Sequence, residues 1–314
     1  MNLYQELFNE VKKYQSIVIF GHSSPDGDCY GSQSALKCFL KEAFPEKDIY
    51  MVGTGFLKAI PYFDKMDVIS DEIIKDSLAI AVDCSDLERM EDQRITLAKK
   101  ICKIDHHLGS EVNKFAYINI SNTNACSAAE MIGQFILENN YSISLECAER
   151  IFLGMVTDTG RFLFLNSSKD TFKVLDKIME ANIDFQKIYD FLYEGEEVST
   201  RAKGYISYNF VAKENIAYLI LDKETIHSLN IDFNYAASMV NVLSGMKGYP
   251  IWALFCESDE GLVRVELRSK TYNVQEVAIK FGGGGHLKAS GCRLQSISEC
   301  QKVIDVLLQI SKGE

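Results

Sequence analysis

Four short apolar runs, Ser16–Phe20, Asp48–Val52, Leu78–Val82 and Ile101–Ile104, recur along the first third of the chain with polar or helix-patterned stretches between them. Runs of this length, rich in Ile and Val and closed by Gly or Asp, read as strands. Strands that are almost wholly apolar and alternate with helical stretches belong to a parallel sheet covered on both faces. The first run leads through a loop into Ala35, Leu36, Phe39 and Leu40 at helical spacing, a strand-loop-helix unit. The expected fold class is therefore α/β, with a larger N-terminal domain built on a parallel sheet flanked by helices.

Acids and histidines cluster where these runs stop. His22, Asp26 and Asp28 follow the first, Asp83 and Asp86 the third, and Asp105, His106 and His107 the fourth. Asp158 falls at the end of a helical pattern over Leu145–Thr157, after another over Ser127–Leu137. In open α/β sheets ligands bind beyond the carboxyl ends of the strands. So many carboxylates in one place repel one another unless divalent cations neutralise them, and carboxylate with imidazole is a hard-to-borderline donor set. The spacing thus predicts a two-metal hydrolytic site, with Asp86 as a capping or supporting group.

Composition narrows the function. With 314 residues the chain has room for two cores. A hydrophobic share of 47% and a charged share of 25% exclude a disordered or fibrous chain. Nine cysteines with no C-x-x-C pair suit a reduced, cytoplasmic setting. Glu6 and Glu10 ahead of a brief apolar run match neither a signal peptide nor a membrane span, so no membrane association is expected. A formal net charge of -11 argues against a sequence-independent grip on long duplex nucleic acid, which needs many Lys and Arg. A small anionic substrate fits, because screening over about 8 Å lets a few local cations dominate a cleft.

The expected organisation is a metal-binding domain over residues 1–190, a linker over 191–213 marked by Gly195, Gly204 and the acidic Glu194–Glu197, and a smaller α/β domain over 214–314. Strands are expected at Ile216–Leu221, Ile251–Phe255 and Leu262–Leu267. Asn273 with Glu276 signals a helix start, and Val274, Val277, Ala278 and Phe281 make one helical face. Gly282–Gly285 then end that helix and lead into His286, so the glycines open no strand-to-helix unit and are no dinucleotide fingerprint. Strand alternation sets Arg264, Glu266 and Arg268 on one face, either as a phosphate-binding set or as a solvated face paired through Glu266.

Any one cluster can be an ordinary Asx-rich turn with a helix-capping Asp. Together, H-x-x-x-D-x-D at His22–Asp28, D-x-x-D at Asp83–Asp86, D-H-H at Asp105–His107 and D-T-G at Asp158–Gly160 resemble the DHH phosphoesterase family. Leu267-Arg268-Ser269, Asn273-Val274, Phe281–His286 and Ala289-Ser290-Gly291 resemble its DHHA1 substrate-binding domain. The likeness runs in order from His22 to Gly291. Cys29-Tyr30 departs from the small or aliphatic residues common there, which bears on pocket shape and not on the ligands.

The resemblance implies one cation held by His22, Asp26 and Asp83 and another by Asp28, Asp83, His106 and Asp158, with Asp83 shared. It implies that His107 contacts the scissile phosphate and that Asp105 orients a histidine. Arg268, Ser269, Gly283, Gly284, Gly285, His286 and Arg264 would bind substrate, the glycines by offering backbone N–H groups to a phosphate. Oxygen-rich ligands with two histidines suit Mn²⁺, ahead of Mg²⁺ or Co²⁺. Arg161 either reaches substrate or caps a helix end, and His227, without ligand-like neighbours, is structural.

The implied chemistry is metal-assisted phosphoester hydrolysis without a covalent enzyme intermediate. Within the family the closest likeness is to compact oligoribonucleases that also act on 3'-phosphoadenosine 5'-phosphate (PAP). Short oligonucleotides, linear dinucleotides and PAP are thus the expected substrates. A cyclic di-AMP or pApA phosphodiesterase is the alternative, and a non-catalytic nucleotide-binding protein would lack some of the ligands that are all present here. Family II pyrophosphatases lack the G-G-G-G-H segment, and a RecJ-type exonuclease needs modules for which there is no room. The chain can act alone or as a homodimer.

Overall fold

Leu78–Val82 is buried at all five positions, as only a strand in the middle of a doubly covered sheet can be. The computed structural model describes residues 2–56, 63–107, 115–163 and 169–312, which divide into two compact units, Met1–Tyr193 and Glu194–Glu314. The strands of the first unit are β1 Ser16–Phe20, β2 Asp48–Val52, β3 Leu78–Val82, β4 Lys100–Asp105 and β5 Ile118–Ser121. They form one parallel sheet in the order β2-β1-β3-β4-β5. The helices are α1 Leu3–Val11, α2 Gly27–Ala43, α3 Asp71–Lys75, α4 Ala128–Glu138, α5 Leu145–Asp158, α6 Lys169–Glu180 and α7 Phe185–Tyr193.

Alternation along the strands builds a core on each face. Ile17 and Ile19 of β1 point into a core shared with α1, α2 and α4 to α7, whereas Val18 and Phe20 join Ile74 of α3 and Ile95 on the other side. Helix starts follow their caps: Asp26 accepts from the N–H groups of Asp28 and Cys29, Ser127 from Glu130 and Ser144 from Cys147. In this strand order the topological switch lies between β1 and β3, so the residues after Phe20 and Val82 emerge where such sheets bind ligands.

Glycine sets how closely two helices cross. A Cβ on Gly31 of α2 would lie 2.7 Å from the Arg150 carbonyl oxygen of α5, and one on Gly154 of α5 would lie 2.5 Å from the Ala129 Cβ and 2.8 Å from Asp28 Oδ1. The approach of α2, α4 and α5 brings Asp28 and Asp158, at opposite ends of antiparallel helices, into one neighbourhood.

The second unit contains α8 Glu197–Asn209, β6 Val211–Lys213, β7 Ile216–Leu221, α9 Lys223–Ser228, α10 Phe233–Ser238, β8 Ile251–Glu257, β9 Val263–Ser269, α11 Gln275–Lys280, β10 Gly284–His286, β11 Ala289–Leu294 and α12 Cys300–Lys312. Its mixed sheet runs β10-β11-β9-β8-β7-β6, with β7 and β8 parallel and the other neighbours antiparallel. Alternate residues of β8 face two cores, Ile251, Ala253 and Phe255 toward α11 and α12, Trp252, Leu254 and Cys256 toward α8 to α10. The stretch 191–213, expected as a linker, is largely helical, because Ser199, Ala202 and Ile206 make a buried stripe at helical spacing. Among the described residues no helix is long and apolar enough to cross a membrane.

Candidate active site

Three strand ends and one helix end deliver the first unit's polar residues to one place. His22 follows β1 and is 7% exposed, Asp83 follows β3 at 3%, Asp105 closes β4 at 0%, and Asp158 closes α5. Asp83 has φ +53, a left-handed conformation found where strand ends are turned for function. Its two carboxylate oxygens face different histidines. Oδ2 lies 3.4 Å from His22 Nε2, while Oδ1 lies 3.5 Å from both His106 Nε2 and His107 Nδ1.

His106 Nε2 is also 3.7 Å from Asp28 Oδ2 and 3.7 Å from Asp158 Oδ2, and His22 Nε2 is 3.9 Å from Asp26 Oδ1. Eight of the nine acids and histidines singled out in this half of the sequence thus converge, Asp86 being the exception. Asp26 does double duty, since the oxygen nearest His22 is also the cap of α2. Asp86 sits ahead of a short 3₁₀ turn at Leu87–Arg89, makes no side-chain cap and accepts from the Ser85 hydroxyl at 3.1 Å.

Electrostatics explains what such a cluster needs. Burial raises the Asp28 carboxyl well above its ordinary range, and the charges of Asp83 and Asp158 push it further. Asp158 is raised to about 6 by burial, with Asp83 and Asp26 adding to the effect against the opposing pull of His106. Burial works to lower His106, but the Asp83 carboxylate 3.5 Å away and the charges of Asp28 and Asp158 outweigh it and raise the ring to about 10. The cluster therefore holds an excess of buried negative charge that borrows protons. Asp83 Oδ1 is buried without a satisfying hydrogen bond, and such a carboxylate oxygen between imidazoles is a donor for a divalent cation. Cation-sized groupings recur around it: Asp28, His106 and Asp158; Asp83, His106 and His107; and His22, Cys29 and Asp83, each with donor atoms within 4.8 Å.

The supporting contacts include residues that sequence reading passed over. Lys103, fully buried in β4, places Nζ 3.0 Å from Asp105 Oδ2. Asp105 Oδ1 takes the His107 N–H at 3.2 Å and His107 Nδ1 at 2.8 Å. Burial would raise the Asp105 carboxyl, but the His107 hydrogen bond and the Lys103 charge hold it below its usual range. A lysine two residues before the Asp in an otherwise apolar strand was the available signal, since both face one side. Asp28 is clamped by the N–H groups of Ala128 at 2.7 Å and Ala129 at 2.9 Å, at the positive end of α4. The Cys29 thiol accepts from the His22 N–H at 3.3 Å.

In the second unit Arg264, Glu266 and Arg268 share a face of β9, as alternation predicts. Glu266 bridges them, 2.7 Å from Arg264 and 3.2 Å from Arg268. A cavity of about 460 Å³ beside this face is lined by Arg264, Glu266, Gly282, Gly283, Gly291 and Arg293. Two expectations change. The Ser269 hydroxyl accepts from the N–H groups of Thr271 and Tyr272, so it serves the turn after β9. The Gly283 N–H is taken by the Ala278 carbonyl at 2.8 Å, and a Cβ there would lie 2.1 Å from the Gly291 carbonyl oxygen, so this glycine is required by its own sheet. Gly284, Gly285 and His286 form β10 against β11. Arg161, at φ +67, closes the end of α5 through its N–H to Val156 and lays its guanidinium over Tyr193, while His227 pairs with Asp259 at 2.8 Å on the surface.

Known proteins are similar to this chain in sequence and fold. Residues 16–155 match the DHH family, N-terminal domain, and residues 213–313 match the DHHA1 domain. The chain is 32% identical to the bifunctional oligoribonuclease and PAP phosphatase NrnA of Bacillus subtilis, over 98% of each chain. It is 31% identical to the NrnA of Mycoplasma pneumoniae, over 96% of each. An exopolyphosphatase-related protein from Bacteroides fragilis superposes with a TM-score of 0.86 at 27% identity, covering 98% of this chain and 95% of that one.

Proposed function

Because the chain belongs to the DHH phosphoesterase family, with a DHHA1 domain after its DHH domain, we propose that it hydrolyses short oligoribonucleotides, linear dinucleotides and PAP. The observation that carries this reading is Asp83, whose oxygens face His22 on one side and His106 with His107 on the other. One divalent cation is assigned to His22, Asp26 and Asp83 and a second to Asp28, Asp83, His106 and Asp158. Donor chemistry favours Mn²⁺, with Mg²⁺ or Co²⁺ as substitutes. When bound, such a pair activates water and neutralises charge on a phosphate.

The chain's own residues supply orientation. Asp105 holds His107 through Nδ1, which fixes the ring and leaves Nε2 to donate to a phosphoryl oxygen when the ring is protonated. Lys103 holds Asp105 in turn. Arg268 and Arg264, with Gly284, Gly285 and His286, are assigned to substrate phosphate, and Glu266 keeps the two guanidinium groups extended until a phosphate competes for them. Nine free cysteines support a reducing, cytoplasmic setting.

Turnover of a short oligoribonucleotide, linear pApA, PAP and cyclic di-AMP under Mn²⁺ tests the reading. The first three should be hydrolysed and cyclic di-AMP should lag by at least about tenfold. Preference for cyclic di-AMP would reassign the substrate, and no hydrolysis of any would reject the reading. Arg268→Ala should raise KM with a smaller effect on kcat, as expected when a binding contact is lost.

A further inference from the structure

At the end of the α2–α5 pair away from the candidate active site, two thiols and two carboxylates meet. Cys38 Sγ and Cys147 Sγ are 3.2 Å apart. Glu42, one turn on from Cys38, places Oε1 3.5 Å from Cys38 Sγ and Oε2 3.9 Å from Cys147 Sγ, and Glu146 Oε2 is 3.9 Å from Cys38 Sγ. Cys38, Glu42 and Cys147 offer donor atoms that all lie within 4.8 Å of one another.

These separations lie within about 0.6 Å of the edges around one small tetrahedral ion, the 3.2 Å Sγ–Sγ gap being the short one. Zn–S bonds of about 2.3 Å and Zn–O bonds near 2.1 Å, set tetrahedrally, give donor-to-donor edges of about 3.4 to 3.8 Å. The thiols are buried and the glutamates exposed, so the site has an entry path and a dry floor. Arg150, with Nη1 3.9 Å from Glu146 Oε2, offsets part of the negative charge that four such donors would carry. The Ser144 hydroxyl donates to Glu42 Oε1 at 2.7 Å and fixes that side chain across the helix pair.

We propose that Cys38, Cys147, Glu42 and Glu146 form a zinc site that clamps α2 to α5. Cys38 is ten residues from Asp28 along α2 and Cys147 eleven from Asp158 along α5, or about 15 Å at 1.5 Å per residue. The clamp would thus act at a distance, fixing the helices that carry two candidate active-site carboxylates without touching them.

Cobalt reports thiolate ligation by a charge-transfer band in the near ultraviolet, independently of turnover. Reduced, metal-free protein titrated with Co²⁺ under argon should show this band, and Zn²⁺ in excess of all the assigned cation positions should bleach it. The band should persist in Asp83→Asn and vanish in Cys38→Ser and in Cys147→Ser. Glu42→Gln, an exposed change that leaves the fold intact, should weaken cobalt affinity at least about tenfold. Absence of the band in the unaltered protein, its survival in Cys147→Ser, or its loss only in Cys29→Ser would overturn the proposal. So would recovery of a Cys38–Cys147 disulfide in place of cobalt binding.

Discussion

Asp83 holds its carboxylate between three imidazoles from a backbone at φ +53, a conformation that Asn accepts as readily as Asp. Asp83→Asn therefore removes charge without disturbing the turn. We expect hydrolysis to fall by more than about a hundredfold, at or beyond the cost of losing one charge-stabilising group, with the melting temperature no higher, because burial is outweighed by His106 and His22, which hold the Asp83 carboxyl below its ordinary range, and that favourable pairing is lost. Kinetics and a thermal melt on the same preparation check both halves. Asp105→Asn should behave differently. It weakens the hold on His107, for a loss of about 10- to 100-fold, and strands Lys103 at 0% exposure, which costs about 3–5 kcal/mol. Adding Lys103→Met should restore stability in urea but not activity. The acids and histidines were legible because polar residues closing apolar strands stand out, whereas Lys103 and Cys29 were not, since their roles depend on partners that only folding brings near.

The decisive elements are α2, α4 and α5, whose close crossing at Gly31 and Gly154 sets the distance between Asp28 and Asp158. Gly154→Ala would drive a Cβ to 2.5 Å from the Ala129 Cβ and 2.8 Å from Asp28 Oδ1, both inside a packed core. The expected cost is about 1–3 kcal/mol, accompanied by weaker Mn²⁺ binding as Asp28 shifts, measured by calorimetric titration. Strands β1 to β3 were read from sequence to the residue, because each is a short apolar run between polar breakers. β5 is four residues long with one polar position between two isoleucines, too little pattern to register. Helix α8 was hidden by Gly195, Gly204 and a run of acids, which signal a break locally, while the narrow stripe of Ser199, Ala202 and Ile206 gains its helix from burial.

For the whole chain, a net charge of -11 is the broadest constraint on substrate. Binding that relies on a few local phosphate contacts loses little affinity with salt, since the slope scales with the number of phosphates neutralised. A 24-base-pair duplex should neither bind in a gel shift nor inhibit cleavage of a trinucleotide, and trinucleotide KM should rise only a few-fold between 50 and 200 mM salt. The α/β class was accessible from pattern alone. The support of the candidate active-site cluster by buried contacts was not, because only packing decides which side chains become neighbours. Whether the cluster around Asp83 holds two divalent cations is read from an anomalous difference map of crystals grown with Mn²⁺. Two peaks about 3.5 to 4 Å apart on either side of Asp83 are the predicted result; a map with no manganese at Asp83, or with a single ion that Asp83 does not share, would contradict it.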